Sequence, residues 1–150
     1  MSRLLAASTA GLSVSSLEID RGAPSYTVDT LEHIHASDPS VQLTFIVGAD
    51  IAATIPGWHR PERLLELSCV AIAAREGAST GPALDAVASV GGEMTAGRVA
   101  TLRMPEVAVS SSLVRERAAR DEPLEELVGA AVARYIADEH LYRSLAEVRG

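Results

Sequence analysis

The stretch Val41-Gln-Leu-Thr-Phe-Ile-Val47, running directly into Gly48-Ala-Asp50, decides the fold. An uncharged, mostly apolar run of this length predicts a strand covered on both faces. The glycine that follows ends the strand and opens a short helix over about 50–54. Upstream, Asp38-Pro39-Ser40 is a turn, and Ser25 offers an N-cap to a helix over about 26–36, with Val28, Leu31, Ile34 and His35 on one side. Earlier still, Leu12 to Ile19 alternates as a half-buried strand does, and residues 3–9 read as the end of a helix.

Downstream the pattern repeats. Pro56-Gly57-Trp58 turns the chain, Pro61 starts a helix over about 61–67, and Cys69 to Ala74 is a second buried strand ending at Arg75-Glu-Gly77. Residues 77–97 are rich in Ala, Gly and Ser and read as a loop with a short helix near 82–90. Val99 to Met104 is a third strand, Ser110-Ser-Ser112 caps a helix over about 111–120, and the tail from Pro123 to Tyr142 is helical with Leu124, Leu127, Val132, Tyr135 and Ile136 on its apolar side. Strands alternating with helices predict an α/β fold, a parallel sheet with helices on both faces, in a single domain over residues 1–150. In such sheets ligands gather beyond the strand C-termini. Gly48-Ala-Asp50, Arg75-Glu-Gly77 and the run from Ser110 all fall there.

Composition narrows the function classes. The 150 residues are 47% hydrophobic and carry 20 acidic against 13 basic side chains, a formal charge of −7. There is no lysine; every basic residue is arginine. An acidic chain without a basic run argues against nucleic acid and against anionic membrane as partners, but a few convergent arginines suffice for a small phosphate ligand. Cys69 is the sole cysteine, so no intrachain disulfide forms, which fits a reducing cytoplasm. Within Ser68-Cys-Val-Ala-Ile-Ala-Ala74 it is expected to be buried and inert. His33, His35, His59 and His140 lack partners at ligand spacing, so no protein metal site is expected.

The chemistry-bearing groups cluster at helix starts and strand ends. Ser110-Ser-Ser-Leu-Val-Arg-Glu-Arg117 sets hydroxyls beside unpaired N–H groups at a helix start, and Arg115 returns one turn later with a planar fork of donors. That is a phosphate-binding pattern, and equally an ordinary Ser cap with Arg on a solvated face. Asp50 can accept from ribose hydroxyls or serve as a cap. Trp58-His59, flanked by Pro56, Gly57 and Pro61, sits on a loop, where Trp58 is either a stacking platform or a core side chain. Thr27 at a helix start can bind a carboxylate or simply cap.

These motifs carry a resemblance. Arg21-Gly-Ala-Pro-Ser-Tyr-Thr-Val-Asp-Thr-Leu31, Ile46-Val-Gly-Ala-Asp50, Trp58-His59, Arg75-Glu-Gly77 and Val109-Ser-Ser-Ser-Leu-Val-Arg115 stand in the order of the bacterial nicotinate mononucleotide adenylyltransferases. The likeness runs from about residue 10 to Tyr142. The serine motif also resembles that of phosphopantetheine adenylyltransferase, a reading that the Pro24–Leu31 and Trp58 motifs disfavour. The resemblance implies a Rossmann-like nucleotidyltransferase that transfers AMP from ATP to nicotinate mononucleotide, with Mg²⁺ arriving on ATP. It implies that Thr27, Trp58 and His59 hold the nicotinate, that Asp50 binds ribose hydroxyls, and that Arg75 lies near the mononucleotide phosphate. Gly48, Asp50, Ser110, Ser111 and Arg115 would bind ATP, Arg115 being the catalytic residue.

The sequence also departs from the pattern. The family opens with a strand and a Gly-Gly-Thr-Phe-Asp-Pro-x-His-x-Gly-His loop, and no such run occurs here. Relative to the family the fold is thus expected to be N-terminally truncated, with the edge of the 41–47 strand exposed. By itself the chain is expected to be poorly soluble or homo-oligomeric and inactive, the alternative being a nucleotide-binding or partner-dependent fragment without catalysis. Glu76 stands where Pro is usual, Gly129 where Pro often precedes the last helix, and His59 where Tyr is common.

Overall fold

The computed structural model describes residues 1–75, 79–105 and 107–143. Elements follow in the order α1 (Ser2–Ala7), α2 (Leu17–Arg21), α3 (Thr27–Ser37), β1 (Leu43–Gly48), α4 (Ala49–Ala52), α5 (Pro61–Leu67), β2 (Ser68–Arg75), α6 (Gly81–Gly91), β3 (Val99–Met104), α7 (Ser111–Ala119), α8 (Glu125–Val128) and α9 (Ala130–Asp138). Single 3-10 turns at Ile55–Gly57 and Gly92–Thr95 complete the list. The chain divides into two compact units, one formed by residues 16–106, the other by residues 1–15 with those from Val107 onward.

The first unit is the α/β part. Its three strands are parallel in the order β1-β2-β3, with Val47 opposite Ile72 and Ile72 opposite Thr101. Alternate residues of β2 (Val70, Ile72) face a core shared with Val47, with Leu31 of α3, with Leu64 and Leu65 of α5 and with Val87 of α6. Ile72, Val70 and Val87 are wholly enclosed. Parallel strands need a crossover element between them, and α5 and α6 supply it here.

On the opposite face the cover is uneven. Ala71 of β2 is buried, yet Ile46 of β1 is 63% exposed, so cover on both sides is realised at β2 and not at β1. Cys69, expected to be buried, is exposed: it lies on that second face, out of phase with Val70 and Ile72, where the cover over Ala71 does not reach the start of β2. Among the described residues β1 pairs on one side only.

The expected strand over Leu12–Ile19 does not form. Residues 12–16 have no regular structure, and α2 takes up Leu17 onward. Alternation makes a strand only where a sheet edge receives it. Leu12, Val14 and Ile19 are instead exposed, and Ser16 donates to the Asp20 carboxylate at 2.7 Å, one helical turn along. Ser25 is not the cap of α3. Its hydroxyl donates to the carbonyls of Glu18 and Gly22 and closes the preceding turn, leaving Tyr26 at the cap position.

The second unit is helical. Val114 and Ala118 of α7 meet Leu124, Val132, Ala133 and Ile136 in a small core. The tail, expected as one helix, is two, broken at Gly129, whose φ of 77° lies in the left-handed region that glycine adopts without Cβ strain.

Candidate functional site

The strand ends of the α/β unit converge on a cleft of about 490 Å³ lined by Gly48 and Asp50, by Ala73 and Arg75, and by Met104. Gly48, Arg75 and Met104 end β1, β2 and β3 in turn, with Asp50 just past β1 and Ala73 just before the end of β2, so the cleft sits where the topology of a parallel sheet places ligands. Gly48 has an ordinary backbone (φ −65°, ψ 150°), so conformational freedom is not what requires it. A Cβ there would stand 2.8 Å from Asp50 Oδ1, which shows the carboxylate folded over the glycine. Asp50 and Arg75 are both exposed and place an acceptor and a fork of donors at one cleft. Glu76 and Gly77, the rest of that motif, lie outside the described residues.

A second constellation forms around the start of α3. Trp58 follows the 3-10 turn, is half-buried, meets Phe45 edge-on with ring centres 5.9 Å apart, and donates through Nε1 to Thr54 Oγ1 at 3.0 Å. It is therefore both a core-edge residue and a partly open ring. His59 stacks on Tyr26 with ring centres 4.3 Å apart and an interplanar angle of 29°. Tyr26 precedes Thr27, so the stack ties the Trp58-His59 loop to the first turn of α3. No side chain caps that helix, and Thr27 is half-buried there.

Arg60, the next residue, has φ 49° and ψ 58° and occupies the N-cap position of α5. Its guanidinium donates to Asp29 at 2.7 Å and to both oxygens of Glu32 at 3.1 and 3.0 Å. Arg63 donates to the same Glu32 at 3.2 Å and to Glu66 at 2.7 Å. Hydrogen bonds from Arg60 and then Arg63 hold the Glu32 carboxyl below its usual range, and Glu32 and then Asp29 raise the Arg60 guanidinium. Tyr26, Asp29, Glu32 and Arg60 did not emerge from the motif reading. The signal was present: carboxylates at i and i+3 on one helix face arginines at i and i+3 on another.

In the helical unit, Ser110, Ser111 and Arg115 line a cavity of about 360 Å³ together with Val114, Ile136 and Tyr142. Ser110 is the N-cap of α7, its Oγ accepting from Leu113 N at 3.1 Å. The capping role is thus realised, and the hydroxyl proton remains available to an acceptor. Among the described residues no three His, Cys, Asp or Glu side chains converge as a metal cage. No helix among them is long and apolar enough to cross a membrane.

Sequence relatives decide the family. A probable nicotinate-nucleotide adenylyltransferase of Frankia alni is 39% identical over 146 residues, covering 97% of this chain and 73% of that protein. The chain belongs to the nicotinate-nucleotide adenylyltransferase family. Probable nicotinate-nucleotide adenylyltransferases of Mycobacterium avium (36% identical, 96% of this chain, 67% of that protein) and Streptomyces coelicolor (40%, 87% and 65%) agree. This is a family of nucleotidyltransferase enzymes serving NAD biosynthesis.

The fold is that of a solved nicotinic acid mononucleotide adenylyltransferase of Plasmodium falciparum complexed with NaAD. The TM-score is 0.57 at 17% identity, over 79% of this chain and 58% of that one. The Plasmodium falciparum enzyme complexed with APC superposes equally, at 0.57 and 18% identity. The chain thus spans about two thirds to three quarters of the length of the curated relatives and 58% of the solved chain. No protein-family model matches it.

Proposed function

We propose that this chain takes part in adenylyl transfer from ATP to nicotinate mononucleotide, giving deamido-NAD and pyrophosphate, with residues 1–150 acting as one nucleotidyltransferase domain. The observation that carries the reading is the cleft at the ends of all three parallel strands, lined by Gly48, Asp50 and Arg75. Asp50 accepts from ribose hydroxyls, and Arg75 offers its fork to the mononucleotide phosphate. Thr27 and the uncapped start of α3 take the nicotinate carboxylate, while Trp58 presents its open ring to the pyridine and His59 lines the same loop. Ser110, Ser111 and Arg115 receive the ATP phosphates at the positive end of α7.

A phosphate oxygen of the mononucleotide attacks the α-phosphorus in line, and pyrophosphate leaves, without a covalent enzyme intermediate. Catalysis is then positioning and charge stabilisation, with Arg115 the catalytic residue on the ATP phosphates. Mg²⁺ enters as the ion carried by ATP, shielding its phosphates.

The test uses Trp58, the sole tryptophan of the chain. Nicotinate mononucleotide is expected to quench its emission saturably. Thr27→Ala should weaken that response by about tenfold, the loss of one charge-assisted contact, and leave ATP affinity unchanged. Failure of nicotinate mononucleotide to perturb Trp58, or equal losses for both ligands in Thr27→Ala, would overturn the assignment of this loop.

A further inference from the structure

Resting on the reading of Trp58-His59 as the nicotinate-facing loop, we propose that Arg60 is a positioning residue that latches this loop onto α3 and thereby sets affinity for the mononucleotide. Three consecutive residues are each tied to a different anchor: Trp58 to Thr54 through its indole N–H, His59 to Tyr26 by stacking, and Arg60 to Asp29 and Glu32. The last two anchors belong to the first turns of α3 and its cap, the segment that presents Thr27.

The backbone gives a second, independent indication. Arg60 sits in the left-handed region, which a non-glycine residue keeps only where its surroundings over-determine it. What fixes it is a planar fork gripping two carboxylates one turn apart, with Arg63 bonded to the same Glu32. Such a fork sets direction as well as distance, which a lysine cannot reproduce. Both partners are substantially solvent-exposed, and exposed ion pairs contribute little to global stability. The latch therefore acts on the geometry of the loop and not on the fold.

A binding site that is competent only while latched loses affinity in proportion to the latched fraction. Arg60→Ala, in the full 150-residue chain, is expected to weaken nicotinate mononucleotide binding, read from Trp58 emission, by about tenfold if the latched fraction falls to about a tenth. Arg60→Lys should recover only part of the loss. In the absence of ligand, acrylamide should quench Trp58 more readily in Arg60→Ala than in the parent, while the thermal midpoint and ATP affinity stay the same. A merely structural role would move the midpoint and both ligands together.

The outcomes separate. A parent chain whose Trp58 ignores nicotinate mononucleotide overturns the nicotinate reading and this inference with it. A parent that responds, beside an Arg60→Ala variant with unchanged affinity and acrylamide access, overturns the latch alone. Full rescue by Arg60→Lys would also overturn it, since charge and not fork geometry would then be sufficient.

Discussion

The unit of residues 16–106 encloses Ile55, Leu64, Leu65 and Ile72 almost completely, whereas among the described residues no large side chain of the helical unit is enclosed to that degree. The helical core relies on Val114, Ala118, Leu124, Val132, Ala133 and Ile136, two of them alanines, and Leu124 borders a cavity of about 310 Å³. The contrast separates two ways of holding a proposed binding residue. In the α/β unit, Asp50 follows β1 and Arg75 ends β2, strands anchored in the core by Val47, Val70 and Ile72, so the core fixes their origin. In the helical unit, Ser110 and Arg115 depend on local devices, a cap and a helical turn, with less packing beneath them.

The most damaging test compares like with like. Leu65 touches the position that a side chain at Gly91 would fill and is 1% exposed. Leu65→Ala should cost about 4 kcal/mol and Leu124→Ala about 2 kcal/mol, the upper and lower parts of the range for leucine deletions, because Leu124 already adjoins empty space. Denaturant midpoints at a common slope would read both. Equal losses would break the contrast and show the helical core to be as tightly packed as the other.

That contrast also marks what the sequence made legible. The strands at 43–48, 68–75 and 99–104 were readable as mostly apolar runs bounded by turn residues, although only β2 is largely buried, and Pro61 announced the helix that follows it. The placement of Asp50 and Arg75 at strand ends and of Ser110 at a helix start was readable because punctuation after a strand or before a helix is local. The segment Leu12–Ile19 misled because alternation records a preference, while pairing depends on a distant edge. Cys69 misled because an apolar run does not say which alternate residues are covered. The Arg60 cluster was missed because its partners lie 28 and 31 residues away.

A smaller effect bears on the cap. Ser110→Ala removes the acceptor for Leu113 N and should cost about 1 kcal/mol, while Ser110→Thr or Ser110→Asp should restore most of it. If local devices hold this region, the substitution should also weaken ATP binding through the start of α7. A stability loss with ATP affinity intact would confine Ser110 to capping and leave Ser111 and Arg115 to the phosphates.

The smallest change in stability is expected at Gly48, and it sharpens the other half of the comparison. Its backbone angles suit any residue, so Gly48→Ala should shift stability by no more than about half a kcal/mol. The new methyl would, however, meet Asp50 Oδ1 at 2.8 Å, and the far end of that side chain must swing aside. Ligand affinity should therefore fall several-fold with the fold untouched, and an Asp50→Ala background should abolish the effect of the methyl. A large loss of stability would mean that Gly48 is needed for packing. An additive double variant would mean that the methyl obstructs the ligand directly, and that the packed core positions Asp50 without help from the space above the glycine.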